Sequence, residues 1–325
     1  MLAVVFDQAG GPEALRVAEV PNPLPGEREV VIDVHATALN RADLLQRRGL
    51  YAPPPGASPL LGLECAGVVR EVGSSVTTTR VGERVMALLP GGGYAERAVV
   101  DERSCLPIPA QLTFEEAAAV PEAFLAASEM LFQVGRAAPG ERVLIHAAGS
   151  GVGTAAVQLA REAGLHAIGT TSSSKLERVR ALGAERVVAR EHEDFSAAVA
   201  NFSGGRGVDV IVDLVGAAYA EKNQRCLASC GRHVIAGLMG GAKVELDFGQ
   251  LLRKRQSLLG FIMRPQTVEE KAAIVERFRA RWFEHLERGT LRPIVDSVLP
   301  LAQASRAHAQ MEANETFGKI VLSVR

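Results

Sequence analysis

The sequence predicts an α/β protein in two parts: a β-rich domain, split in two by an inserted domain with a doubly wound parallel sheet. Three observations carry that expectation. Residues 1–110 are short apolar or alternating runs separated by proline and glycine clusters. From about residue 110, short apolar runs alternate with helical stretches, and one such junction is rich in glycine. The final segment opens with a long amphipathic helix and closes on apolar strands. The outer domain is expected over residues 1–122 and 266–325, the inserted one over 123–265.

Leu2–Phe6, Val30–Ala38, Gly67–Val72 and Arg84–Leu89 are the first strands. Pro21–Gly26, Pro53–Gly56 and Pro90–Gly93 are the turns between them. Thr113 and Glu116 make a capping box for a helix that Pro121 interrupts. Val143–Ala147, Leu165–Gly169, Val187–Ala189, Val208–Val212 and His233–Ala236 are short, strongly apolar strands. Val152–Ala163 and Lys175–Leu182 are the first helices among them. Val268–Arg288 is a helix closed by Gly289; Ile294–Leu299, Ala302–Glu312 and Gly318–Val324 follow as strand, helix and strand.

Composition excludes several classes of function. The chain has 325 residues, 47% hydrophobic, which is ample for a core and excludes wholesale disorder. Thirty-six basic against 37 acidic residues leave a net charge of −1, which argues against nucleic-acid binding. No basic, apolar leader precedes Asp7 and no apolar run reaches about 18 residues, so neither secretion nor a membrane span is expected. Four cysteines make no disulfide framework and suit the cytoplasm. Cys226 and Cys230, four apart, read as two buried small hydrophobes on a helix face rather than a metal or redox pair.

The strongest local motif is Leu144-Ile-His-Ala-Ala-Gly149-Ser150-Gly151-Val152-Gly153-Thr-Ala-Ala156, which follows a strand and opens a helix. Glycines let the backbone turn tightly and approach a pyrophosphate, and N–H groups at the helix start bind it. The spacing is G-x-G-x-G, with Ala155 and Ala156 permitting close helix packing. NAD sites place a carboxylate about 20 residues on, for the ribose 2′-OH. Here Thr171, 22 residues after Gly149, begins Thr171-Ser172-Ser173-Ser174-Lys175. Hydroxyls and a cation there suit a 2′-phosphate, so the expected cofactor is NADPH; a serine-rich helix cap is the plainer alternative.

Further motifs carry a resemblance. Asn40–Leu44, Tyr51–Ser58, Gly62-Leu63-Glu64, Ala87–Gly93, His146–Ala156, Glu221-Lys-Asn223, Gly237–Gly241, Met311–Asn314 and Gly318–Leu322 run collinearly along almost the whole chain. Together they resemble the zinc-independent quinone oxidoreductase branch of the medium-chain dehydrogenase/reductases, with nearest likeness to the tumour-suppressor-inducible group. The resemblance implies a GroES-like barrel split by a Rossmann domain, with substrate and cofactor in the cleft between them.

In zinc alcohol dehydrogenases of that superfamily a histidine stands where this chain has Leu63, and a cysteine where it has Asn40. The structural-zinc cysteines are also lacking, so no metal is expected. Without a Lewis acid, the easier hydride acceptors are those whose product anion is already stabilised: a quinone, or an alkene conjugated to a carbonyl.

The resemblance places Asn40 and Tyr51 beside the substrate as donors; a strand-end turn and a loop aromatic are the alternatives for them. Asp43 reads as an orienting or capping residue and Glu64 as a buried support. The resemblance implies cofactor contacts at Val215, Gly216, Gly237, Leu238, Met239, Phe261 and Ile262, with an ordinary buried strand as the alternative for the last two. Arg190 stands where relatives hold the adenine or 2′-phosphate. Asn314 and Lys319 are expected at the cleft border. His146 and His35 read as structural. Ala126 stands where relatives often have a threonine near the nicotinamide.

The expected function is an NADPH-dependent quinone oxidoreductase. The alternatives are an enone or enoyl-thioester reductase, or a low-turnover NADPH-binding structural, sensor or RNA-binding protein. An apolar edge strand at Leu258–Met263 predicts a homodimer or homotetramer.

Overall fold

The computed structural model describes residues 1–325. Its elements begin with β1 (Leu2–Val5), β2 (Arg16–Glu19), β3 (Glu29–Ala38), α1 (Arg41–Arg47), β4 (Glu64–Val72), β5 (Arg84–Leu88), β6 (Arg97–Asp101), β7 (Cys105–Pro107), α2 (Phe114–Ala118) and α3 (Pro121–Ser128). An alternating series follows: β8 (Arg142–Ile145), α4 (Gly151–Glu162), β9 (His166–Thr171), α5 (Leu176–Ala181), β10 (Arg186–Ala189), α6 (Phe195–Ser203), β11 (Val208–Asp213), α7 (Ala217–Cys226), β12 (Leu227–Ile235), α8 (Phe248–Lys254) and β13 (Ser257–Gly260). The chain ends with α9 (Val268–Arg288), β14 (Val295–Pro300), α10 (Ala304–Ala313) and β15 (Lys319–Ser323).

Two compact units result. Met1–Leu125 with Met263–Arg325 form one, and Ala126–Ile262 the other. In the first, a seven-stranded sheet runs β14-β15-β3-β4-β5-β7, with β6 also on β3. Val30, Ile32 and Val34 on one face of β3 pack with Cys65, Val69, Val85 and Ala87, and Val31 on the other face is buried as well, so the strand is covered on both sides there. The second unit is a parallel sheet in the order β10-β9-β8-β11-β12-β13. Strand order reverses between β8 and β11, and ligands of doubly wound sheets bind at the carboxyl end of such a reversal. Leu144, Ile168 and Ile211 of the central strands are fully buried there, as parallel strands covered on both faces require, and so is Val188 on the edge strand β10.

Pro121 interrupts the helical stretch as the sequence predicts: α2 ends at Ala118 and Pro121 opens α3, where a first-turn position needs no N–H donor. Other local expectations change. Cys226 and Cys230 share no helix face. Cys226 ends α7 and is buried; Cys230 lies in β12 at φ 60° and is exposed, where β11 and β12 slip register. The apolar edge strand stops at Gly260, so Phe261 and Ile262 follow it as loop, not as buried strand. Ile262 is exposed.

Candidate active site

In the parallel-sheet unit, the chain leaves β8 through buried His146 and turns at Ala147, which has φ 50°. Ser150 caps α4, its Oγ accepting from the Gly153 N–H at 3.0 Å. That capping leaves the amides of Gly151 and Val152, at the positive end of a 12-residue helix, for an external anion. A Cβ at Gly153 would stand 2.2 Å from the Ala147 carbonyl. Gly153 is therefore the close-packing glycine of the loop, a role the sequence assigns to Ala155 and Ala156.

Beneath this loop lies a buried polar chain that sequence reasoning missed. His146 bonds Thr170 Oγ1 at 2.9 Å and Asn223 Oδ1 at 2.7 Å. Burial pushes the His146 imidazole down to about 4, so it is neutral and structural. Asn223 Nδ2 donates to Asp213 Oδ2 at 3.0 Å, and His233 bonds the same oxygen at 2.8 Å. Asp213 Oδ1 accepts from the Val215 and Gly216 N–H groups at 2.7 and 3.0 Å. Val215 and Gly216 are thus held rigidly from below. Gly216 takes φ 83°, and a Cβ at Gly237 would stand 2.5 Å from the Leu214 carbonyl. Leu238 and Met239 follow with their side chains exposed.

Past β9, the Thr171–Lys175 turn holds a surprise. The Ser173 N–H and hydroxyl donate to Glu191 Oε2 at 3.0 and 3.1 Å, and Arg190 Nε donates to Glu191 Oε1 at 3.1 Å. Against the desolvation penalty, these bonds hold the Glu191 carboxyl below its usual range. A carboxylate does reach this turn, but from beyond β10 instead of from the end of β9. Ser172 and Ser174 hydroxyls lie 3.4 Å apart beside it.

In the barrel unit, three segments converge on Glu64, which is fully buried. Its Oε1 accepts from Lys319 Nζ at 2.6 Å and Asn40 Nδ2 at 2.8 Å. Its Oε2 accepts from the Glu122 N–H at the start of α3, at 2.8 Å. Lys319 Nζ also donates to Asn40 Oδ1 at 2.7 Å and the Leu39 carbonyl at 2.6 Å, so all three ammonium hydrogens are used. Asn40 gives its remaining N–H to the Ala38 carbonyl at 3.3 Å. Its amide is wholly engaged inside the protein. Asp43 caps α1: its carboxylate accepts from the Asn40 N–H at 2.8 Å and the Gly62 N–H at 3.0 Å. Burial nevertheless pushes its carboxyl up to about 6.

Tyr51 is half-buried and its ring lies 5.3 Å below the guanidinium of Arg264. Burial and the neighbouring Glu64 push Glu122 up to about 8. Asn314 is exposed in a left-handed helix cap, its Oδ1 accepting from Arg41 at 2.7 Å. His35 stacks on Phe114 at 4.0 Å, and Ala126 is buried.

Two family models match, an alcohol dehydrogenase GroES-like domain over residues 26–110 and a zinc-binding dehydrogenase over 151–277. A quinone oxidoreductase of Pseudomonas aeruginosa is 36% identical, covering 98% of this chain and 98% of that protein. This chain belongs to the quinone oxidoreductase branch of the medium-chain dehydrogenase/reductases. It is an oxidoreductase using a nicotinamide cofactor and a small-molecule substrate. Among solved structures, an Escherichia coli quinone oxidoreductase complexed with NADPH superposes with TM-score 0.88 at 29% identity over all of both chains. A structure described as an NAD-dependent alcohol dehydrogenase gives 0.87 at 36% identity, also over all of both chains.

The second family model is described as zinc-binding, and the residues of this quinone oxidoreductase do not fit zinc. Leu63 has no donor atom. Glu64 and Asn40 already surround a cation, the Lys319 ammonium, and a second one at that spot would meet its charge directly. No cluster of three His, Cys, Asp or Glu side chains offers a metal site elsewhere. The cofactor fares differently, because the glycine loop is built for it: two free helix-end amides, a glycine that no other residue can replace, and a rigid buttress beneath.

Proposed function

We propose that this protein is an NADPH-dependent quinone reductase that works without a metal. The observation that carries the reading is the closed Glu64–Lys319–Asn40 cluster. It offers no Lewis acid to an alcohol oxygen, so the suited acceptor is one whose reduced form carries its own charge well. NADPH, when bound, supplies a hydride. Gly149, Ser150, Gly151, Val152 and Gly153 would receive its diphosphate on the α4 end. Thr171, Ser172, Ser173, Lys175 and Arg190 would receive the phosphorylated ribose. Val215, Gly216, Gly237, Leu238, Met239, Phe261 and Ile262 would line the nicotinamide end.

On the barrel side, Tyr51 donates to the acceptor oxygen. Asn40, whose amide has no free hydrogen, acts by holding Lys319 and Glu64 in place. Asp43 positions the backbone of Asn40 and Gly62. Four free cysteines suit the cytoplasmic location we propose, and no helix is long and apolar enough to cross a membrane. Edge strand β13 supports a homodimer formed through it, checked by gel filtration.

The test follows NADPH absorbance with a small quinone, an enone and an enoyl thioester. Quinone turnover should exceed the other two. Faster turnover of the enoyl thioester, or no oxidation with any acceptor, would overturn the reading.

A further inference from the structure

Arg264 is 3% exposed, yet its guanidinium is only partly used. Nε donates to the Pro90 carbonyl at 2.9 Å, while Nη1 and Nη2, both enclosed, have no acceptor. Buried polar atoms are nearly always paired, and leaving a charged one unpaired is costly. The side chain is held firmly all the same. Its own carbonyl accepts from buried Lys271 Nζ at 2.8 Å. Its face covers the Tyr51 ring, and Gly91 lies beside Nη2, where a Cβ would make an ordinary 3.5 Å contact. Asp43 and Glu122 lie close enough to favour its charge, but neither hydrogen-bonds it.

We propose that Arg264 and Tyr51 form an oxyanion subsite that takes the acceptor oxygen of the substrate. The proposal deepens the quinone-reductase reading and rests on it for the identity of that acceptor. Addition of a hydride from NADPH to a quinone yields NADP+ and a hydroquinone monoanion; one proton from solvent completes the hydroquinone. The new charge gathers on oxygen. A fork with two unused N–H-bearing nitrogens, already desolvated and fixed, gains most where that charge appears. Tyr51 would supply the second donor, from the ring the guanidinium covers.

Phosphate on the cofactor is the other oxyanion such a fork accepts, and the test separates the two. Wild type, Arg264→Met and Arg264→Lys are titrated with 4-nitrophenolate, a non-reducible anion, without cofactor, and separately with NADPH. Wild type should bind the phenolate, and Arg264→Met should weaken it on the order of 10- to 100-fold. NADPH affinity should stay within about twofold of wild type, since a site that leaves the cofactor alone shifts its binding free energy little. Quinone kcat/KM should fall on the order of 100-fold in Arg264→Met, as for loss of one oxyanion donor. Arg264→Ala should recover part of its rate with added guanidinium ion, a rescue that a purely structural role does not give. Arg264→Lys keeps the charge and guards against a folding defect in the uncharged variant. Unchanged phenolate binding in both variants, or a loss confined to NADPH, overturns the subsite. Phenolate binding that depends on Arg264 in a protein that reduces no quinone leaves the subsite standing and removes the quinone-reductase reading instead.

Discussion

The two carboxylates most closely tied to the candidate sites are held in opposite ways. Glu64, in the barrel unit, is sealed from water and meets an ammonium, an amide and a backbone N–H. Glu191, in the parallel-sheet unit, lies at the surface against Ser173 and a more exposed Arg190. An exposed pair such as Arg190–Glu191 contributes about 0–1 kcal/mol and yields readily to a competing anion. Breaking a buried pair by removing one partner costs about 3–5 kcal/mol, because the survivor is stranded. The inner carboxylate therefore governs stability. On the proposed NADPH reading the outer one would set which ligand is preferred, since it occupies hydrogen-bond donors that a ribose phosphate would need.

The largest effect expected from that contrast is at Lys319. Lys319→Met should cost the barrel unit about 3–5 kcal/mol in urea unfolding. The sole tryptophan, Trp282, buried in α9 of the same unit, reports the transition by fluorescence. Adding Glu64→Gln should recover much of the loss. A single variant as stable as wild type breaks the comparison.

Glu122 gives the next effect, in pH. Its folded carboxyl titrates at about 8 against an ordinary 4.5, raised by burial and by Glu64. Between those values the native state binds more protons than the unfolded chain, so its contribution is complete below 4.5 and is lost as pH rises toward 8. The slope is at most about 1.4 kcal/mol per pH unit. Glu122→Gln should flatten it; the same slope in the variant would assign the effect to another group.

The smallest effects belong to the outer carboxylate. Glu191→Gln should change stability by less than about 0.5 kcal/mol. It should still raise the preference for NADPH over NADH, by about fivefold if one exposed charge repulsion is relieved. Lys175→Ala should lower that preference by a similar factor, about fivefold. Unchanged ratios in both variants would remove the phosphate from this turn.

How much of this was legible follows from distance along the chain. The glycine loop could be read because strand, turn and helix start lie within about a dozen residues, where local geometry dictates residue type. The capping boxes at Thr113 and the reading of His146 as structural are local in the same sense. Asp43 was recognisable as a capping residue from its spacing to Asn40. Glu191 went unnoticed because it reaches the Thr171–Lys175 turn from beyond the following strand, not along β9. Lys319 and Glu64 meet across 255 residues, and the Arg264 fork is defined by Tyr51 and Pro90. No periodicity or spacing rule spans such separations. The inserted unit sets them far apart along the chain, and the return of the last segment to the barrel unit, with β15 pairing β3, brings them together. Sequence reasoning also gave Asn40 an open amide, because internal partners cannot be counted before the C-terminal strand is in place.

A positive charge bonded covalently to strand β15 cannot exchange with the surroundings. Chelators have nothing to strip from it, scarcity of trace elements does not leave it vacant, and no rival ion can take its seat. Its dosage is fixed at one per polypeptide from the moment of translation.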